Sequence, residues 1–251
     1  RVLLLAGMFV TVALFIQLGN PDASLNALEP VAVRTTFAIL RVMLSVLFAA
    51  LMGCVLGVAY GAGEGEVREG WPGKLTSLDA VLTGRVWSSN VGVSVVAGAA
   101  LAGWLFGLTA LGQAALGERL GSEALETAGY TFGRAPLLVV LANVLAGAVT
   151  ITVLSLLAPL TFLRRHVRPG WPVFLVLAAV SLLISSLGQR IEPDQPLYWL
   201  GAAALLGAVV GGFYVEDYLA SVVATASLGL LNRICDLSAV APYWEQRADL
   251  V

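Results

Sequence analysis

One histidine, two cysteines and one pair of adjacent acids set inside an apolar run are the side chains from which chemistry here would have to be built. His166 stands in Arg164-Arg165-His166-Val167-Arg168. The flanking guanidinium groups make it a poor general base, and no acid stands beside it to orient the ring as a Ser-His-Asp triad requires. A catalytic zinc takes three protein ligands, usually with histidines among them, so the sequence predicts no metal site. Cys54 and Cys235 are far apart and lie in or beside apolar runs. They make no disulfide framework and are expected to be small buried hydrophobes. Glu216 and Asp217 are different, because a carboxylate within an apolar stretch is costly and therefore a functional suspect. Two readings of the pair stay open. It marks a helix end at the water interface, or it makes a polar contact inside the protein with Arg41 or Arg190.

The elements that must position these groups are apolar helices. Ala135 to Leu163 runs 29 residues without a charged side chain. About 20 apolar residues cross a bilayer, whereas a water-soluble helix of this length shows a charged face. Similar segments are Val2 to Leu18, Thr36 to Ala62, Asn90 to Leu116, Trp171 to Leu187 and Leu197 to Val215. Tyr218 to Leu231 adds 14 apolar residues, short for a full crossing. The chain is 59% hydrophobic and 12% charged, against roughly 25% charged in soluble domains. The expected fold is all-α: a single polytopic transmembrane helix bundle of six or seven spans over residues 1–251. The bilayer is its first partner.

The net charge of −2 supplies no basic footprint for nucleic acid. Arg41, one turn inside its span, is expected to snorkel to the interface. Gly53/Gly57/Gly61, Gly103/Gly107 and Gly207/Gly211 repeat at four-residue spacing and predict close helix contacts. Pro159 is expected to kink its helix. Residues 61–89 read as a cytoplasmic loop carrying a short amphipathic surface helix after Trp71-Pro72-Gly73, with Trp71 at headgroup level. The basic cluster after Leu163 sets that orientation. The chain opens at Arg1 inside an apolar run, so it is expected to be a piece of a longer gene product.

Ile191-Glu192-Pro193-Asp194-Gln195-Pro196-Leu197-Tyr198, the Gly-rich span from Gly207, and Phe213-Tyr214-Val215-Glu216-Asp217-Tyr218-Leu219-Ala220-Ser221 resemble the CPBP family of intramembrane glutamic proteases. The likeness is one of layout and loop wording over roughly Gly70 to Leu231. It implies a family site in which a glutamate activates water within the membrane. A second glutamate and an arginine follow on the same helix, and two histidines come from later helices. Aligning Pro159 with a proline that follows the di-glutamate motif puts Ile151 and Thr152 at the glutamates and Leu156 at the arginine. Aligning Pro193 puts Gln189 at the first histidine and Ser185 at its aromatic partner. Thr225 falls at the last histidine and Gly229 at its polar partner.

Threonine and glutamine do not titrate near neutrality and cannot activate water. The resemblance therefore implies a degenerate relative in a bacterial inner membrane, without cofactor. Thr152, Gln189 and Thr225 are its vestigial site positions, lining a small cavity or making interhelical hydrogen bonds. Such a module would bind or scaffold membrane proteins, or a soluble domain of the same gene product. An active member with its catalytic residues outside this piece, or an unrelated structural or transporter-like subunit, are the alternatives.

Overall fold

The computed structural model describes residues 31–116, 136–159 and 196–248, together with residues 7, 9–11 and 14. The described residues are helical, with no strand among them. Helix α1 spans Val31–Gly70, α2 spans Thr76–Leu82 and α3 spans Ser89–Leu116. Helix α4, Pro136–Thr152, passes into a π-helical turn at Val153–Leu157. Helix α5, Pro196–Leu206, passes through a second π turn, Gly207–Gly211, into α6, Gly212–Val215. Helix α7 spans Tyr218–Ala248.

Four stretches are long and apolar enough to cross a membrane: Ile39–Gly70, Ser89–Ala115, Val140–Leu157 and Tyr218–Cys235, with Trp199–Val215 as a shorter fifth. The outward side of α1 agrees with that. Met43, Leu47, Phe48, Leu51, Val55 and Val58 are all exposed along one helix, a surface that water does not tolerate at this size. The architecture is that of an integral membrane protein. The expected spans at Val2–Leu18 and Trp171–Leu187 fall mostly or wholly outside the described residues. The helix does not stop with the last apolar segment at Leu231; α7 runs on to Ala248, and its spanning stretch reaches Cys235. Cys54 is exposed on α1 and Cys235 is half-buried, so the expectation that both are buried is corrected.

Helix α1 also corrects the expected loop. It does not end near Ala62 but continues through Gly63, Gly65 and Gly70. Two contacts hold the extension. Val67 is fully buried, and Arg68 bonds both Glu64, one turn back, and Asp79 of α2. Gly63 is required for fit, because a Cβ there would stand 3.0 Å from the Leu157 Cβ and 3.2 Å from its carbonyl oxygen. The helix ends where Trp71 precedes Pro72, a position that disfavours helical backbone. Gly73, at φ +97°, completes the turn. Trp71 is not at headgroup level alone; its ring packs edge-on against Phe213 at 6.1 Å.

The kink expected at Pro159 would bend residues outside the described ones; what the structure shows is an adjustment just before the proline. A proline clashes with the carbonyl four residues back and cannot bond it. The π turn just before it widens the helix, and Ala158 N–H bonds the Val153 carbonyl five residues back.

Helices α3 and α5–α6 run antiparallel. A Cβ on Gly112, Gly207 or Gly211 would meet the side chains of Leu200, Leu105 and Leu101 respectively. The Gly207/Gly211 spacing is therefore a true contact face, whereas among the described residues nothing lies within 4 Å of a Cβ added to Gly61, Gly103 or Gly107. The tightest approaches involve glycines outside those spacings. A Cβ on Gly212 would stand 2.6 Å from the Ser221 Cα, and one on Gly98 2.6 Å from the Ala220 carbonyl oxygen. Both let α7 lie against its neighbours backbone to backbone. Gly212→Ala is expected to destabilise the protein in detergent by about 1–3 kcal/mol through overpacking, while Gly103→Ala leaves the melting temperature unchanged. Thermal unfolding of the two variants side by side checks this.

Candidate functional site

The polar side chains of the interior gather where α6 stops and α7 starts. Gly212 accepts Glu216 N–H at 3.1 Å, and the helix then opens at Glu216 and Asp217. A break frees carbonyls at one helix end and N–H groups at the other. Each side is answered by a residue from elsewhere. Lys74, in the turn after α1, donates from Nζ to the Tyr214 carbonyl at 3.0 Å and the Glu216 carbonyl at 2.7 Å. Its ammonium stands 5.7 Å from the centre of the Phe213 ring. The Lys74 carbonyl accepts Tyr218 N–H at 2.9 Å. One residue thus closes both ends of the gap.

Asp217 caps α7. Its Oδ1 accepts Ala220 N–H at 2.8 Å, and its backbone carbonyl accepts Ser221 N–H at 3.2 Å. Aspartate suits that place because it accepts the free N–H groups and faces the positive end of the helix dipole. Its Oδ2 accepts Ser94 Oγ–H at 2.9 Å, and Ser94 Oγ lies 2.9 Å from Ser77 Oγ. Ser94 has one proton. With the carboxylate taking it, Ser77 donates to Ser94. Three elements, α2, α3 and the α6–α7 break, are joined through this buried chain.

A layer of hydroxyls continues inward. Thr152 Oγ1 bonds the Ala148 carbonyl of its own helix at 2.8 Å and lies 3.1 Å from Tyr218 OH. Its single proton is spent on the carbonyl, so Tyr218 donates to Thr152. The Tyr218 ring meets Tyr60 edge-on at 6.4 Å. Ser221 Oγ–H donates to the Val209 carbonyl, inside the second π turn, at 2.6 Å. Ser155, in the first π turn, is fully buried, with no partner for its hydroxyl among the described residues.

The expected site residues are distributed differently. Thr152 is buried and makes an interhelical hydrogen bond, to Tyr218. Thr225 is buried two turns further along α7 and donates to the Ser221 carbonyl of its own helix. No hydrogen bond joins Thr152 and Thr225 among the described residues, and Gln189 lies outside them. Leu156 is fully buried in the apolar core. Asp217 is a polar contact inside the protein, but its partners are the Ser94 hydroxyl and backbone. The contact with Arg41 is corrected. Arg41 lies 19 residues before Tyr60 on one straight helix, roughly 28 Å away at 1.5 Å per residue. Tyr60 is the α1 residue at the level of Tyr218. Arg190 lies outside the described residues.

Lys74, Ser77, Ser94, Tyr60 and Tyr218 were missed by the sequence reading. Lys74 had a signal, since it is the chain's one lysine. Asp217 ahead of an apolar run is likewise a helix-start signal. Ser77 and Ser94 had none, because only the tertiary fold brings them together.

In chemical terms the arrangement holds a carboxylate, but both its oxygens are engaged and it is buried from solvent. Among the described residues no group of three His, Cys, Asp or Glu side chains could hold a metal. Comparisons with protein-family models, curated proteins and solved structures found no match.

The two acids at the break should separate cleanly. Asp217→Ala is expected to cost about 2–3 kcal/mol, as loss of hydrogen bonds to a charged group, while Glu216→Gln, whose side chain caps nothing, changes little. A double-mutant cycle of Ser94→Ala with Asp217→Ala, read by unfolding in detergent, should show coupling. Additive effects would mean the two side chains do not meet. Lys74→Met, which keeps the stem and removes the ammonium, is expected to speed hydrogen exchange at the start of α7.

Proposed function

We propose that this chain is a non-catalytic membrane module, laid out like a CPBP intramembrane protease, that binds or scaffolds a membrane partner or a soluble domain of the same gene product. A bacterial inner membrane is the setting that the resemblance implies. One observation carries the reading. Asp217 is the one buried acid among the described residues, and its two oxygens accept Ala220 N–H and Ser94 O–H. The carboxylate is spent on capping α7 and on tying it to α3, at the turn where α6 reverses into α7. Where the resemblance sets a glutamate, Thr152 donates its hydroxyl proton to the Ala148 carbonyl of its own helix and accepts from Tyr218.

The test is a cleavage assay. The purified chain, reconstituted in vesicles with a panel of transmembrane peptide substrates, is expected to release no product. Cleavage that disappears on Thr152→Val would overturn the proposal.

A further inference from the structure

Trp87 is 98% exposed, more than any other large hydrophobic side chain among the described residues, and Val86 beside it is exposed as well. The turn that presents them is built, not loose. Gly84, at φ +79°, donates its N–H to Val81, Arg85 N–H bonds the Ala80 carbonyl at 2.8 Å, and Ser88 N–H bonds the Arg85 carbonyl at 3.2 Å. Helix α2 behind it is fastened through buried Leu75 and Ser77. An indole held out in this way has an apolar body and one N–H donor, which suits a layer that is half oil and half water.

What covers it follows from its place. The spanning stretch Ser89–Ala115 begins two residues later. Val93 and Val96, in its first turns, are exposed in their turn, so the apolar surface of the turn runs on into the outer surface of α3. Arg85, also exposed, supplies the positive charge that a phosphate would pair with. The far end of the same track gives a second mark. Leu200 seats on Gly112, which brings exposed Trp199 level with the last turn of α3. From Trp87 to Gly112 is 25 residues, roughly 38 Å of helix at 1.5 Å per residue. That is close to the ~40–45 Å between the headgroup layers of a bilayer.

We propose that the Arg85–Val86–Trp87 turn is a phospholipid-binding wedge. The Trp87 ring lies in the headgroup layer of one leaflet, and Arg85 pairs with a lipid phosphate. The wedge sets the depth of everything on α3. Ser94 is seven residues along from Trp87, roughly 10 Å deeper. Its partner Asp217, and with it the opening between α6 and α7, therefore sits within the edge of the hydrocarbon and not at the water surface. Non-helical backbone at that depth must be satisfied by protein, which is what Lys74 and Asp217 do.

The experiment uses the whole chain in vesicles of phosphatidylcholine with phosphatidylglycerol. The tryptophan emission of Trp87→Phe is subtracted from that of the unaltered chain to isolate Trp87 from the other tryptophans. The Trp87 signal is expected to be blue-shifted, shielded from aqueous iodide, and quenched more by lipids labelled near the headgroup than by lipids labelled deep in the chain. A spin label at Trp87→Cys, with Cys54 and Cys235 replaced by alanine, should report the same shallow depth from oxygen against aqueous-nickel accessibility. Arg85→Glu should move that label towards water in vesicles containing phosphatidylglycerol, and Arg85→Lys should not. A Trp87 signal open to iodide and indifferent to the lipid labels would overturn the proposal and point to a soluble protein as the occupant.

Discussion

A helix that reverses into its neighbour within two residues frees carbonyls at one end and N–H groups at the other. Each such group that packing shields from water must find a partner in the protein or carry a penalty. The opening at Glu216–Asp217 is the point in the described structure where that constraint presses hardest, and the surrounding parts are arranged to meet it. Lys74 reaches it because α1 extends to Gly70 and the Trp71–Gly73 turn then brings the chain back over Phe213. Ser94 reaches it because Gly98 lets α3 and α7 touch backbone to backbone. Gly212 allows the same between α6 and α7, which double back on each other at Glu216–Asp217. Polar capping and close glycine packing are thus one device: without the glycines the hydrogen-bonding partners would stand too far away.

Much of the helical plan could be read from composition. Long uncharged runs marked α3 and α4 as apolar helices, because in lipid the outer face needs no charge and length alone reports a crossing, whereas the fourteen apolar residues from Tyr218 looked short for one. Boundaries were harder. The polar wording from Gly61 to Gly70 looked like a loop, yet Val67, Arg68 and Gly63 each have a tertiary partner that holds the helix together. Four-residue glycine spacing was an uneven guide. It located the Leu101 and Leu105 contacts of Gly207 and Gly211, but Gly103 and Gly107 look outward, since the spacing shows a smooth face and not what lies opposite.

The site was legible at one residue and obscure at the rest. Asp217 stood out because an acid in an apolar run is expensive. Its partner was sought among arginines, where pairing of opposite charges would place it. The fold instead supplied neutral hydroxyls and backbone N–H groups, which satisfy a carboxylate without bringing a second charge into the interior. Pairings of that kind join residues from different helices and leave no mark in the local sequence. Thr152 illustrates the same limit. Its burial could be guessed, but its bond to Tyr218 depends on how α4 and α7 cross.

The wide turns at Val153–Leu157 and Gly207–Gly211 carry one more consequence. Each takes up an extra residue relative to regular helix, which rotates whatever follows by about 100°. Side chains beyond Leu157 and beyond Gly211 are therefore out of phase with those before. A helical wheel drawn straight through either segment assigns its far end to the wrong side. The count of residues slips by one at each of these turns while the chain stays helical.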